Sequence, residues 1–341
     1  MRAAVYFGRD DVRLVDRPAP APPARGWLTV AVSYCGICGT DIEEITEGPA
    51  IVPTEPHPLT GASLPITLGH EGTGSVTAVG AGVKLAPGDR VAIEGTMTCG
   101  DCTWCRQGLT QLCPQIAGIG FMLDGALAEA VNVPAAMCAV MPPTMPDEAG
   151  ALAEPLSVAV RAERRSGGVD GRTVQVIGAG TVGLLAAQVA RARGAKWVVL
   201  RDPAEGRRAT AASLSLEAVS PGDEVPPADV VFECSGSASG LESALTNTQR
   251  GGATVVVGIH VEPRPIDLLG MLLQERQLTT SLAHTFQEDF IPAVAMLAEG
   301  VVQFEPLVSD RVRLSRVIED GFDPLRSEPA RHGKILVDCR S

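Results

Sequence analysis

Along the first 150 residues apolar and polar positions alternate in short runs, and this period of two predicts strands over residues 3–7, 28–32, 74–79 and 90–93. Gly and Pro clusters, at 18–23 and at Pro87-Gly88-Asp89 among others, cut the runs apart. Near residue 150 the texture changes. A helical pattern covers 149–165, then strands over 173–177, 197–200, 230–233 and 253–257 follow, with an amphipathic helix over 181–193. Such strand–helix alternation predicts a parallel sheet with helices on both faces. Residues 209–228, with Pro221, Pro226 and Pro227, are too short for a full strand and helix, so that edge of the sheet is expected to be trimmed. Beyond about 287 the pattern is less regular and ends in a strand over 334–337. A chain of 341 residues exceeds what one core supports. The simplest architecture is a nucleotide-binding domain, 153–287, inserted between the two parts, 1–152 and 288–341, of a discontinuous β-rich domain.

Composition narrows the field. Apolar content of 45% with 20% charged residues is that of a globular protein, and no run approaches the ~18 apolar residues of a membrane span. A net charge of −12 argues against nucleic-acid partners, which call for a basic patch. Residues 1–5 read as a first strand rather than a leader, so the nine cysteines point to a reducing cytoplasm where thiols serve metals.

Four of those cysteines fall at Cys99-x₂-Cys102-x₂-Cys105-x₇-Cys113, in a lobe of about 95–115 too poor in apolar residues to fold around its own core. Short Cys-x₂-Cys steps let neighbouring sulfurs reach one ion, and a closed set of four thiolates is a structural zinc site. Two disulfides are the competing reading, opposed by the cytoplasmic setting.

Gly178-Ala179-Gly180-Thr181-Val182-Gly183 follows one predicted strand and opens a helix. The first glycine permits a tight turn, the second lets backbone approach a pyrophosphate, and the third lets helix and strand pack closely. The helix start offers free N–H groups to phosphate. Asp202, 19 residues past Gly183, is placed to accept hydrogen bonds from ribose hydroxyls and to repel a 2′-phosphate, which favours NAD. Arg201, Arg207 and Arg208 beside it pull the other way.

Three further clusters carry zinc-ligand chemistry: Cys35-Gly36-Ile37-Cys38-Gly39-Thr40-Asp41, Gly69-His70-Glu71 and Glu154-Pro155. One Cys, one His and one carboxylate suit a catalytic zinc with a position open to water or substrate. Taken singly, each is equally a buried thiol, a satisfied imidazole or a helix-start acid.

With these motifs together the chain resembles, over its whole length, the zinc-dependent medium-chain dehydrogenases of the alcohol and polyol dehydrogenase superfamily. The stretch 51–61, Pro65-Ile66-Thr67-Leu68-Gly69-His70-Glu71, Phe232-Glu233-Cys234-Ser235-Gly236, Val257-Gly258-Ile259 and Lys334-Ile335-Leu336-Val337 are similar to its 2,3-butanediol dehydrogenase branch. The resemblance implies a doubly wound Rossmann sheet of α/β class inserted in a GroES-like domain, with two zinc ions per chain and NAD. It implies Cys38, His70 and Glu154 as catalytic zinc ligands, Glu71 as an alternate ligand or a brace, and Asp41 orienting His70. Cys35 is not expected to ligate. It places Thr40 as the group that takes the alcohol proton. It places Gly178, Gly180, Thr181, Val182, Gly183, Asp202, Arg207, Val257 and Ile259 at the cofactor. The implied reaction moves a hydride between NAD and a secondary alcohol or vicinal diol, or in the alternative a sugar, polyol or aminocyclitol, in a homodimer or homotetramer. A catalytically silent NAD-binding scaffold is the reading from another class.

Departures from the branch bear on substrate. Glu43 stands where a histidine is usual, either ending a proton relay or lying as a surface charge, and His57 is the other local carrier. Gly72 replaces an aromatic. The loop Phe121-Met122-Leu123-Asp124-Gly125-Ala126 at the expected pocket mouth is short.

Overall fold

The computed structural model describes residues 1–340, which divide into two compact units. The first comprises residues 1–154, 285–299 and 308 to the C-terminal strand, and the second comprises 155–284 and 300–307. The segment 300–307, expected with the β-rich domain, thus belongs to the second unit. Gln188 on the helix Thr181–Ala192 explains this: its amide donates to Gln303 O at 3.1 Å and accepts from Gln303 N at 2.8 Å.

The first unit is built on a seven-stranded sheet. Its order runs Cys138–Val140, Arg90–Ile93, Glu71–Val79, Trp27–Gly36, Lys334–Asp338 and Val308–Arg313, with Ala130–Pro134 also paired to Trp27–Gly36. Leu28, Val30 and Val32 of the central strand join Leu68, Val91, Ile93 and Ile335 in its core. A smaller sheet pairs Asp11–Asp16, Arg2–Gly8 and Ile66–Thr67. The strands read from the sequence all form, most of them longer by a few residues, because backbone pairing continues past the last apolar position.

The second unit is a six-stranded parallel sheet in the order Glu217–Val219, Trp197–Arg201, Thr173–Ile177, Ala228–Glu233, Thr248–Val256, Gln277–Thr280. Strand order reverses between Thr173–Ile177 and Ala228–Glu233, which places a crevice at their carboxyl ends where dinucleotides bind in this topology. The expected trimmed edge is present. Glu217–Val219 is three residues long, and a loop rather than a helix leads to Ala228. Arg201 and Gln175 fill in for the missing helix. The buried guanidinium donates to Pro221 O (3.2 Å), Asp223 O (2.8 Å) and Gln175 Oε1 (3.0 Å), and Gln175 donates to Pro226 O (2.7 Å).

The helix expected over 149–165 is two, Asp147–Ala151 and Ala153–Arg165. Pro155 supplies the reason. It has no N–H for a bond to the carbonyl four residues back and its ring would crowd that carbonyl, so it is tolerated in a first turn and not mid-helix.

Candidate active site

The cysteine lobe is closed at its base by the strand pair Thr96–Met97 and Ala117–Gly118. Cys102 caps the short helix Thr103–Arg106, its sulfur accepting from Cys105 N. The sulfurs of Cys99, Cys102, Cys105 and Cys113 all lie within 4.8 Å of one another. Cys99 Sγ is 3.5 Å from Cys113 Sγ and 3.9 Å from Cys105 Sγ. A tetrahedron with Zn–S bonds of about 2.3 Å has S···S edges of about 3.8 Å, so the four thiols fit one zinc ion and lie too far apart for disulfides. Backbone N–H groups of Asp101 and then Cys102 pull the Cys99 thiol down to about 6, toward the thiolate that binds metal.

A second convergence lies in the same unit. The helix Gly39–Glu47 starts at Cys38, whose N–H donates to Asp41 Oδ2 at 2.9 Å. Asp41 is fully buried, and its other oxygen stands 3.4 Å from His70 Nδ1. That contact fixes the imidazole and leaves its second nitrogen for a metal. Phe121, from the loop expected at the pocket mouth, lies with its ring 5.0 Å from that of His70. Ligating atoms of Cys38, His70 and Glu71 all come within 4.8 Å of one another. Burial alone would lower the basicity of His70, but Asp41 and Cys38 outweigh it and hold it well above its ordinary value. Glu154 is half-buried, with His70, Glu71, Lys334 and Asp41 as its electrostatic neighbours, and desolvation pushes its carboxyl up to about 7. A soft thiolate, an imidazole and carboxylates, all buried or half-buried, fit a zinc ion.

Glu71 is held more firmly than its sequence position suggests. Lys334 Nζ lies 2.6 and 2.7 Å from its two oxygens and donates to Ile37 O at 2.9 Å, with both side chains buried. The carboxylate occupies the space over Gly36, where a Cβ would sit 2.0 Å from Glu71 Oε2, so the position opposite must be glycine. Lys334 was legible only as part of the last strand. Gly72, where the branch carries an aromatic, is equally confined: a Cβ there would lie 2.6 Å from Ala126 Cβ. Cys35 is buried and its thiol is raised well above the ordinary range by desolvation, which keeps it protonated.

Thr40 Oγ1 is 3.7 Å from Cys38 Sγ, one residue into the helix. Glu43, three residues on, is exposed. His57 is half-buried, its Nδ1 accepting from Leu59 N at 3.3 Å, so its proton resides on Nε2.

In the second unit the glycine loop has the form that phosphate binding asks for. Gly178 has φ +97°, a conformation that side chains avoid. A Cβ on Gly180 would meet nothing within 4 Å, which leaves open space over the helix start, and one on Gly183 would lie 1.8 Å from Gly178 O. Thr181 and Val182 begin the helix Thr181–Ala192. Asp202 Oδ2 accepts from Ala179 N and Oδ1 from Ala204 N, both at 2.8 Å, which ties the acid to the loop. Arg207 Nη1 approaches Oδ2 to 3.7 Å. Arg208 is spent on Asp202 O and Pro203 O, and Arg201 is buried under the trimmed edge, so neither serves as a 2′-phosphate anchor. Val257 and Ile259 follow the strand Thr248–Val256.

A dinucleotide crevice in one unit and a desolvated Cys-His-carboxylate set in the other define a zinc- and nicotinamide-dependent oxidoreductase. Comparison with known proteins agrees. Residues 24–143 match the alcohol dehydrogenase GroES-like domain, and residues 181–299 match the zinc-binding dehydrogenase model. The (R,R)-butanediol dehydrogenase of Neisseria gonorrhoeae is 30% identical over 99% of both chains, and human sorbitol dehydrogenase is 32% identical over 98% of this chain and 95% of its own. The crystal structure of 2R,3R-butanediol dehydrogenase from Bacillus subtilis superposes with a TM-score of 0.91 at 31% identity, covering 99% of each chain. The chain belongs to the zinc-binding alcohol dehydrogenase family.

Proposed function

We propose that this dehydrogenase oxidises a secondary alcohol carrying a vicinal hydroxyl or carbonyl, of the 2,3-butanediol and acetoin type, with NAD as acceptor. The observation that carries the reading is the convergence of Cys38, His70 and Glu71 beside Glu154, in a chain similar throughout its length to butanediol dehydrogenases. Cys38, His70 and Glu154 would hold the catalytic zinc, with Glu71 restrained by Lys334 as the alternate. When bound, the ion would supply Lewis acidity toward the alcohol oxygen and NAD would supply the hydride acceptor. The chain's residues do the rest. Asp41 keeps the His70 ring in place, and the Phe121 ring packs beside it. Thr40 takes the hydroxyl proton, and Glu43, on the same helix three residues on and open to solvent, is its outlet. Asp202 receives the adenosine ribose.

We further infer a homodimer. Leu268, Leu269, Leu272 and Leu273 on one short helix are 65–73% exposed, Val261 is 77% exposed, and the edge strand Gln277–Thr280 has no partner on its outer side among the described residues. A second copy is the occupant such a surface and edge fit. No helix among the described residues is long and apolar enough to cross a membrane, and all nine cysteines are free thiols, which supports a cytoplasmic setting.

NADH formation measured against 2,3-butanediol, sorbitol, glucose and cyclitols tests the function. Turnover on the vicinal diol and reduction of acetoin are expected. Efficient turnover of sorbitol with none of butanediol would move the assignment to polyols.

A further inference from the structure

The carboxyl ends of the fourth and fifth strands of the parallel sheet carry an arrangement that the metal site and the glycine loop leave unused. Glu233 ends the strand Ala228–Glu233 and is fully buried. Its Oε1 accepts from Ser235 N (2.8 Å), Ser235 Oγ (2.5 Å) and Gly236 N (3.1 Å), and its Oε2 meets His260 Nε2 at 2.9 Å. Its own carbonyl accepts from Val257 N (2.8 Å) and Gly258 N (2.9 Å). One residue therefore ties together the turn after the fourth strand and the turn after the fifth. There is no slack between them: a Cβ on Gly258 would lie 2.3 Å from Gly236 N, and one on Gly236 would lie 2.7 Å from Ile259 O.

With the Glu233 carboxylate accepting, His260 Nε2 carries the donated hydrogen, and the ring's other nitrogen is Nδ1. That Nδ1 is buried and meets no donor among the described residues. A ring present only to fill volume would gain nothing over an aliphatic side chain and would bear the desolvation of that nitrogen. What the histidine adds is its bond to Glu233.

The location gives the bond its purpose. A Cβ on Gly178 would lie 3.1 Å from Ser235 N, so the turn held by Glu233 abuts the glycine loop. Asp202 lies on the other side of that loop, after the strand Trp197–Arg201. A dinucleotide with its pyrophosphate at the glycines and its adenosine ribose at Asp202 extends its second nucleotide over the ends of Ala228–Glu233 and Thr248–Val256. We propose that His260 is a positioning residue for the nicotinamide half of the cofactor, holding the Val257–Ile259 turn against it through Glu233. The proposal rests on the NAD reading above.

Titration of the zinc-loaded protein with NADH and with ADP-ribose, which lacks the nicotinamide, tests it. Wild-type protein that binds neither ligand would overturn the cofactor reading itself, whatever His260 does. His260→Ala is expected to weaken NADH binding about tenfold, the loss of one oriented hydrogen bond, while ADP-ribose binding stays within about twofold of wild type. His260→Gln, whose amide can still donate to Glu233, is expected to recover most of the NADH affinity. Wild-type NADH affinity in His260→Ala, equal losses for both ligands, or no recovery in His260→Gln would each overturn the proposal. Should His260→Ala not fold, His260→Leu fills the volume and is read the same way.

Discussion

Lys334 stands 263 residues from Glu71 in sequence and 2.6 Å from it in space. Removing one partner of a buried pair leaves the other charged and dry, at a cost of about 3–5 kcal/mol. Lys334→Met should therefore lower the melting temperature clearly and speed zinc release to a chelator, since the freed Glu71 disturbs Cys38 and His70. Lys334→Arg should restore both. Unchanged melting and metal release in Lys334→Met would reduce the pair to decoration. Glu94 makes a pH-dependent prediction. Burial, with Glu154 and Asp289 adding, pushes its carboxyl up to about 8, against about 4.3 in an unfolded chain. Between those values the unfolded chain loses a proton that the folded chain keeps, so this group's contribution to stability falls as pH rises through the window and vanishes below it. Glu94→Gln should thus stabilise the protein relative to wild type more near pH 8 than near pH 5, and a melting difference flat with pH would contradict this. Glu43→Gln should slow alcohol oxidation at and below neutral pH, with added buffer bases restoring the rate. An unchanged pH–rate profile would make Glu43 a surface charge. Asp202→Ser should raise the KM for NAD about tenfold and narrow the preference over NADP, because the charge that repels a 2′-phosphate is gone. An unaltered coenzyme ratio would contradict the role of Asp202.

At the scale of elements, what the sequence disclosed is what is local. The cysteine lobe needs only the spacing of four sulfurs over fifteen residues, and the glycine loop only its strand before and helix after. The strand Thr173–Ile177 and the trimmed edge were legible because periodicity and proline report on a few neighbours at a time. Arg201 shows the limit. Beside Asp202 it reads as a phosphate anchor, yet alternation along the strand sends it to the opposite face, where it holds the loop of the trimmed edge. The Lys334–Glu71 pair and the return of 300–307 to the second unit were closed to inspection, since each joins elements distant in sequence. The lobe yields its own prediction. Cys102→Ser should lose one zinc and melt at lower temperature, because metal binding there substitutes for a core. Retention of full zinc content and stability would make the lobe self-supporting.

At the scale of the molecule, the proposed function rests on two clusters that could each hold a metal ion, one of four sulfurs and one of Cys38, His70 and Glu71. The exposed leucine surface is the feature on which the proposed homodimer rests. Leu269→Glu together with Leu272→Glu should shift the native mass from dimer to monomer, and an unchanged mass would place the interface elsewhere. The central claim is tested most directly by counting zinc in the purified protein and in Cys38→Ala while following NADH formation from 2,3-butanediol. Two zinc ions per chain with activity in the wild type, and one zinc ion with a native melting profile and no turnover in Cys38→Ala, is the predicted result. Activity in a zinc-free protein, or undiminished turnover in Cys38→Ala, would contradict it.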